Sequence, residues 1–494
     1  MLDQTFSSKN FMIVYDMENR MGRIPKETMN SEFQDIVVRI QATNTRLQEL
    51  RHKKKKERTE NEVLEIQELE EVLKNLREKK QECLQVYTER LASKVNSLQF
   101  RFQLNKVTLG NKIGFRINNS DHSQLFAMKQ LQYNLQKTFK VKQANRHFIM
   151  ASIKLLLKTK RPYYIIRTDV SSFFESIPQE RLLHSVMDNT LLSYKSKVFV
   201  KAILEQYEEE KKNLTNEECM GMRKGCGVPR GIGISSLLSE VYMRDLDNTI
   251  RKRPEVIFYV RYVDDIFMLL AQLPNGKKIE DYYHELEKEF QKYDLTLKAS
   301  GNEKCSLVDC SGQKKCNSQL TYLGYRITIN SEANNGNIKN IEATFRMSAE
   351  KYERLSRRID NAFKHFNAVN QHDLHQARKD LVDSLKLITG NVRLHKSKSG
   401  IKTGLYFNSD LLDEYKEDLQ KLNNELNVQS NSLEKKLNSG SEKERYVKAL
   451  QKRIQKFDFV KSWETRKMYS LSGKRLQYIM RWLNYETKED KTTI

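Results

Sequence analysis

Hydrophobic and polar positions divide the chain into stretches of different period. From residue 30 to about 89 it is charged, almost without Gly or Pro, and helical in spacing. Ile66, Leu69, Val72, Leu73, Leu76, Cys83 and Leu84 follow a near-heptad seam, preceded by Val37, Ile40, Leu47 and Leu50. Two long helices or one helical hairpin are predicted, the seam buried either on another subunit or by one stripe on the chain's own body. Phe100-Arg101-Phe102-Gln103-Leu104 alternates like a strand. Residues 123–138 read as an amphipathic helix through Leu125, Met128, Leu131 and Leu135, and a second apolar helix ends at Leu157. Short β-rich runs follow at Tyr163-Tyr164-Ile165-Ile166 and, as strand, turn and strand, from Tyr259 to Leu270. Residues 237–246 and 279–293 are helical in pattern, the second with Leu286 and Phe290 inward, and Leu295-Thr296-Leu297-Lys298 reads as a short strand. Beyond residue 345 the period is helical again, over 347–366 and 372–387, interrupted by loop or strand pieces at 390–394 and 400–407. The expected class is α+β.

Composition narrows the picture. A chain of 494 residues can hold two to four structural units. Its 87 Lys+Arg against 64 Asp+Glu give a net charge of +23, which attracts polyanions. Residues 443–475 carry eleven Lys/Arg against three Asp/Glu, interleaved with Tyr446, Phe457, Phe459, Trp463 and Tyr469. Such a stretch tracks a nucleic-acid backbone, or it packs its aromatics in a helical core with a basic outer face. The run Arg51-His52-Lys53-Lys54-Lys55-Lys56 reads as a solvated face that can also meet phosphates. No apolar run reaches membrane-spanning length and the N-terminus opens no signal-peptide pattern, so no membrane partner is expected. Six scattered cysteines, Cys83, Cys219, Cys226, Cys305, Cys310 and Cys316, suit a reducing cytoplasm. The last three lack a fourth ligand at zinc-site spacing and are read as free thiols.

The chemistry lies in two acidic sites. Asp264 and Asp265 interrupt the run Tyr259-Val260-Arg261-Tyr262-Val263-Asp264-Asp265-Ile266-Phe267. Two unpaired carboxylates in a buried strand are costly, whereas at a hairpin tip they can share a cation. Alone, the pair is also what an exposed turn looks like. Upstream, Asp169 sits near the end of the run that starts at Tyr163. Three carboxylates on neighbouring strand ends make a hard oxygen cage suited to Mg²⁺, with Mn²⁺ as the alternative ion. Two such ions about 3.5–4 Å apart can activate a hydroxyl and stabilise a leaving pyrophosphate. Between the two sites, Gly225-Cys226-Gly227-Val228-Pro229-Arg230-Gly231-Ile232-Gly233 opens a helix where a phosphate or base pair can approach.

In that order the motifs resemble those of reverse transcriptases: Asp169 with Phe174 five residues on, the glycine-rich turn, and Tyr262-Val263-Asp264-Asp265. The resemblance implies a right-hand polymerase with fingers and palm. Residues 1–95 would then be an N-terminal long-helix extension, possible site of oligomerisation, with fingers over 96–165, palm over 166–335, and a helical thumb and basic tail over 336–494. It implies metal binding at Asp169, Val170, Asp264 and Asp265, with Lys304 of Asn302-Glu303-Lys304-Cys305 protonating the pyrophosphate and Lys298 its rival. It implies nucleotide contacts from Lys140, Lys142 and Arg146, with Phe174 against the ribose 2′-hydroxyl and Pro229, Arg230 and Gly231 at the nascent pair. The primer end would rest on Tyr322, Leu323, Gly324 and Tyr325. Arg230 departs from the usual Gln: it either holds a template strand or triphosphate, or braces against Glu175. The spelling of the motifs is most similar to bacterial abortive-infection and defence-associated reverse transcriptases. Those imply a cytosolic antiphage enzyme using dNTPs, an RNA template (a dedicated non-coding RNA) and a DNA product, often as a homo-oligomer, sometimes primed on a side chain. A retron or mobile-element enzyme, an RNA-directed RNA polymerase and an inactive RNA-binding scaffold are the alternatives.

Overall fold

A computed structural model of the chain describes residues 3–20, 24, 30–52, 58–109, 112–118, 120–142, 144–159, 161–215, 221–274, 276–311, 315–334, 337–393, 402–413, 416–436 and 441–484. Lys53 to Lys56, Cys219, Leu394, Gly400 and Ile401, singled out above, lie outside them. The chain forms two compact units, neither of them continuous in sequence. One comprises residues 1–143, 171–248 and 290–295; the other comprises 144–170, 249–289 and 296–494.

In the first unit the long helix Glu60–Asn96 starts at a capping box, where the Thr59 side chain and Glu62 satisfy each other's backbone N–H groups. Ile66, Leu73, Leu76, Leu84, Thr88, Ala92 and Val95 form its buried stripe. Leu47 and Leu50 of helix Ser31–His52 cover the first part, packing with Ile66 and Leu73. Helices Ser8–Arg20 and His122–Phe139 cover the rest. Ser8 Oγ lies 2.7 Å from Thr88 Oγ1 and Tyr87 Oη 2.6 Å from His122 Nδ1, while Phe126 meets both Phe11 and Tyr87 edge-on. The seam is therefore buried by its own chain, which removes the physical reason for expecting a second subunit there. Val72, counted in the seam, is exposed.

The expected strand at Phe100 is a correction. Pairing starts only at Leu104, where β1 (Leu104–Leu109) meets β2 (Lys112–Ile117) as an antiparallel hairpin. Among the described residues Phe100 and Phe102 have no partner strand, and they pack against each other and Phe199, ring centroids 5.3–5.6 Å apart. Phe115 N–H of β2 donates to the Arg230 carbonyl at 2.7 Å, which ties this hairpin to the glycine-rich turn.

The second unit is built on β3 (Tyr163–Asp169), β4 (Val256–Tyr262), β5 (Asp265–Ala271) and β6 (Ser306–Cys310) in the antiparallel order β4-β5-β3-β6. Every residue of central β3 is buried, which explains its continuous apolar run. A second sheet follows, in the order β7 (Cys316–Tyr322), β8 (Tyr325–Asn334) and β9 (Asn337–Met347). Helices Ala349–Val369, Leu374–Thr389 and Glu417–Lys436 share one core with both sheets, through Ile165, Phe267, Tyr322, Phe345, Ile359, Leu385 and Leu422 among others. Residues 295–298 form no strand; Leu297 makes only an isolated bridge to Val170. Asn391–Arg393 and Lys402–Gly404 are short paired strands. Phe457 and Phe459 are buried in this core, with Trp463 and Tyr469 packed against it, so the aromatics of the basic tail serve packing. No helix among the described residues is long and apolar enough to cross a membrane.

Candidate active site

Antiparallel pairing of β3 with β5 sets Asp169 directly opposite Asp265, at the same end of the sheet. Asp264 lies in the two-residue turn between Tyr262 and Asp265. The turn's first position is Val263, with φ +62°, a conformation that glycine ordinarily supplies and that strains a β-branched residue by about 1–3 kcal/mol. Two bonds hold it: Arg261 Nη1 donates to the Val263 carbonyl at 2.6 Å, and Val170 N–H to the Asp264 carbonyl at 3.0 Å. The backbone thus pins Asp169–Val170 to the Asp264 turn.

Cations lie beside these carboxylates. Arg167, two residues before Asp169 and buried, donates from Nη2 to Asp265 Oδ1 at 2.9 Å. Lys304 Nζ is 3.5 Å from Asp169 Oδ2 on an exposed side chain. Lys298 contributes its backbone, its N–H donating to the Asp169 carbonyl at 2.9 Å. Tyr322 Oη donates to the Asp265 carbonyl at 3.4 Å. Burial pushes the Asp265 carboxyl above its ordinary range, the Asp169 and Asp264 charges push the same way, and Arg167 and Lys304 only partly offset them. The site is short of positive charge and offers only oxygen donors, which fits a hard divalent ion. Among the described residues no three His, Cys, Asp or Glu side chains are already drawn into a ligand cage. Asp169, Asp264, Asp265 and the backbone of Val170 are the groups that would hold an ion, with Lys304 moving off Asp169.

Residues 103–327 match the reverse transcriptase (RNA-dependent DNA polymerase) family model. No curated protein matches the sequence. Solved structures similar to the chain include apo telomerase from Candida tropicalis, at 14% identity and a TM-score of 0.33 over 78% of this chain and 64% of that one. A form truncated from its C-terminal domain gives 16% and 0.32 over 50% and 56%. Telomerase from Candida albicans with a TWJ fragment of telomeric RNA gives 12% and 0.29 over 78% and 64%. The chain thus spans less than two thirds of the length of these structures.

Other expected residues fall into two groups. In the first unit, Phe174 sits on the single turn Phe173–Ser176 and is half-buried. Arg230 donates from Nη2 and Nε to Glu175 Oε1, at 2.8 and 3.2 Å. Of the two readings of Arg230, the structure contains the contact that the brace requires. Gly231 has φ +97°, and a Cβ there would come within 2.8 Å of the Phe115 carbonyl, so only glycine fits. Pro229 accepts from Ser235 Oγ. Lys140 is the left-handed C-cap of helix His122–Phe139 and Lys142 is exposed.

In the second unit, Leu323 (φ +45°) and Gly324 (φ +74°) form the tight β7–β8 turn between Tyr322 and Tyr325. Arg146, one of the expected nucleotide contacts, opens helix Arg146–Leu156 and donates to the Leu323 carbonyl at 2.9 Å and the Asn408 carbonyl at 3.3 Å. Tyr325 Oη donates to Asp410 Oδ1 at 2.9 Å. Lys351, which sequence reasoning passed over, is buried here, with its ammonium on the Asn408 carbonyl and 5.2 Å from the Tyr325 ring centre. Burial, with Arg146 and Arg354 adding to it and Asp410 opposing, pulls its amine down to about 7. The unfolded chain keeps that proton up to the ordinary 10.5, so stability rises as pH climbs from about 7 towards 10.5. Lys351→Met should flatten that rise, by up to a few kcal/mol, in urea denaturation followed across this range; equal slopes in the two proteins would refute it.

Arg167 was missed. Arg167 left one signal: a charge in an otherwise apolar strand run, two residues from Asp169 and so on the same face. Glu175, offered by the sequence as the brace for Arg230, is its partner across 55 residues.

Proposed function

We propose that the chain is an RNA-directed DNA polymerase that extends a DNA product from dNTPs on an RNA template. The pairing of Asp169 with Asp265, with Asp264 in the adjoining turn, carries the reading, and it falls inside the segment matching the reverse transcriptase family model. When bound, divalent ions, Mg²⁺ or Mn²⁺, supply Lewis-acid activation of the attacking 3′-hydroxyl and neutralisation of the leaving pyrophosphate. Asp169, Asp264 and Asp265 hold the charge that recruits them, and Arg167 keeps Asp265 oriented. Lys304, exposed and next to Asp169, is the group to hand a proton to pyrophosphate. The Leu323–Gly324 turn, locked by Arg146, supports the primer end, and Phe174 selects the sugar.

Within this reading the protein is a cytoplasmic antiphage enzyme acting with a dedicated non-coding RNA; the spelling of the motifs supports that role. Sequencing the nucleic acid that copurifies tests it: an enriched cellular RNA paired with complementary DNA is expected, and DNA products without any RNA template overturn the RNA-directed step. A homo-oligomer held by the N-terminal helices would use the exposed Val38, Val63, Leu64 and Val72 rather than the buried seam. Leu64→Glu with Val72→Glu should then lower the mass measured by light scattering, and a monomeric wild-type protein refutes this contact.

A further inference from the structure

We infer that Arg230 and Glu175 are positioning residues that fix the ring of Phe174 and thereby set discrimination between deoxyribose and ribose. The inference rests on the sugar-selecting role proposed for Phe174. A steric gate works only if the ring is held to a fraction of an ångström. The element carrying Phe174 is a four-residue helical turn, opened by Ser172 at φ +45° without a side-chain cap. Its own hydrogen bonds cannot supply that rigidity.

Neighbouring residues supply it. The Arg230 guanidinium carbon lies 5.0 Å from the Phe174 ring centre, a cation–π contact. The same guanidinium donates twice to Oε1 of Glu175, the residue next to Phe174. Glu175 is buried, and among the described residues its Oε2 has no hydrogen-bond partner. Arg230 is the cation paired with this carboxylate, at 2.8 Å. The backbone repeats the attachment. Val228 N–H donates to the Phe174 carbonyl at 2.8 Å, and Gly227 N–H to the Ile177 carbonyl at 2.7 Å. Gly227 has φ +93°, and a Cβ there would stand 3.2 Å from the Phe174 and Glu175 carbonyl oxygens.

A guanidinium so engaged, between a ring and a buried carboxylate, is spent on holding them. Glutamine at 230 could reach Glu175 as a single neutral donor but would bring no positive charge to the ring face. Lysine would keep the charge as a point and lose the planar fork. Removing the cation leaves the ring free to tilt and admit a 2′-hydroxyl, while the backbone stitches keep the turn folded.

The test compares kcat/KM for dNTP and for rNTP in wild type, Phe174→Ala, Arg230→Gln, Arg230→Lys and Glu175→Gln. The dNTP-over-rNTP ratio should fall roughly tenfold in Arg230→Gln, less in Arg230→Lys, and similarly in Glu175→Gln, which disarms the pair from the other side. Combining Arg230→Gln with Phe174→Ala should relax selection no further than Phe174→Ala alone, because both act through one ring. A merely structural role would lower turnover of both nucleotides equally and leave the ratio intact. An unchanged ratio in Arg230→Gln, Arg230→Lys and Glu175→Gln, beside a relaxed Phe174→Ala, overturns the positioning role and leaves the gate standing. An unchanged ratio in Phe174→Ala removes the gate itself, and the inference with it.

Discussion

Asp264→Asn combined with Asp265→Asn should reduce divalent-ion-dependent dNTP incorporation by about a thousandfold or more, equivalent to at least ~4 kcal/mol of barrier, without unfolding the protein. Asparagine keeps the shape of each side chain, and at 265 it keeps an oxygen for Arg167 Nη2, now 2.9 Å from Asp265 Oδ1. What it removes is the negative charge that recruits the ions. Stability should follow the opposite course. Burial and the neighbouring carboxylates raise the folded carboxyl of Asp265 above its ordinary value. The ionised group therefore opposes folding at neutral pH, and this cost disappears as pH falls through the carboxylate range. Asp265→Asn should accordingly melt no lower than wild type at neutral pH, and the two should converge in acid. Retained Mg²⁺-dependent incorporation by the double variant would falsify the polymerase assignment. A collapse in melting temperature would instead assign these residues a structural role.

Phe174→Ala should raise use of rNTPs relative to dNTPs on the order of a hundredfold, the discrimination a site can obtain from an extra hydroxyl by shape alone. The side chain is half-buried, packs 5.5 Å from Phe173 between ring centres and lies under Arg230. Its removal takes away a steric wall rather than a ligand of the reacting groups, so dNTP turnover should survive. Single-turnover incorporation with each nucleotide in turn measures this. Loss of dNTP turnover in parallel with rNTP turnover would place the ring in the core of its unit and not at a sugar.

The strands that carry the three aspartates, and helices such as His122–Phe139, were legible in the sequence because their signals are local, whereas the strands expected at Phe100 and Leu295 did not form. A β-branched run reads as a strand within seven residues, as in Tyr163–Asp169, and an amphipathic stripe within two or three turns, as in His122–Phe139. Two adjacent carboxylates in such a run also suit an exposed turn, and it is Asp169 and the glycine-rich turn upstream, in that order, that point to chemistry. The sequence by itself therefore determined which residues bear the charge and which elements bear those residues. Only the tertiary structure decided their partners. Arg167 reaches Asp265 across 98 positions and Arg230 reaches Glu175 across 55. The seam of helix Glu60–Asn96 is covered by residues both before and after it, although its period would have suited a second subunit equally well. Arg146, read with Lys140 and Lys142 as a nucleotide contact, donates to a turn 177 residues onward. Period and composition record that a charge or an apolar face must be satisfied; which distant group satisfies it depends on strand register and on helix packing, and those come into being only as separated stretches assemble into each unit.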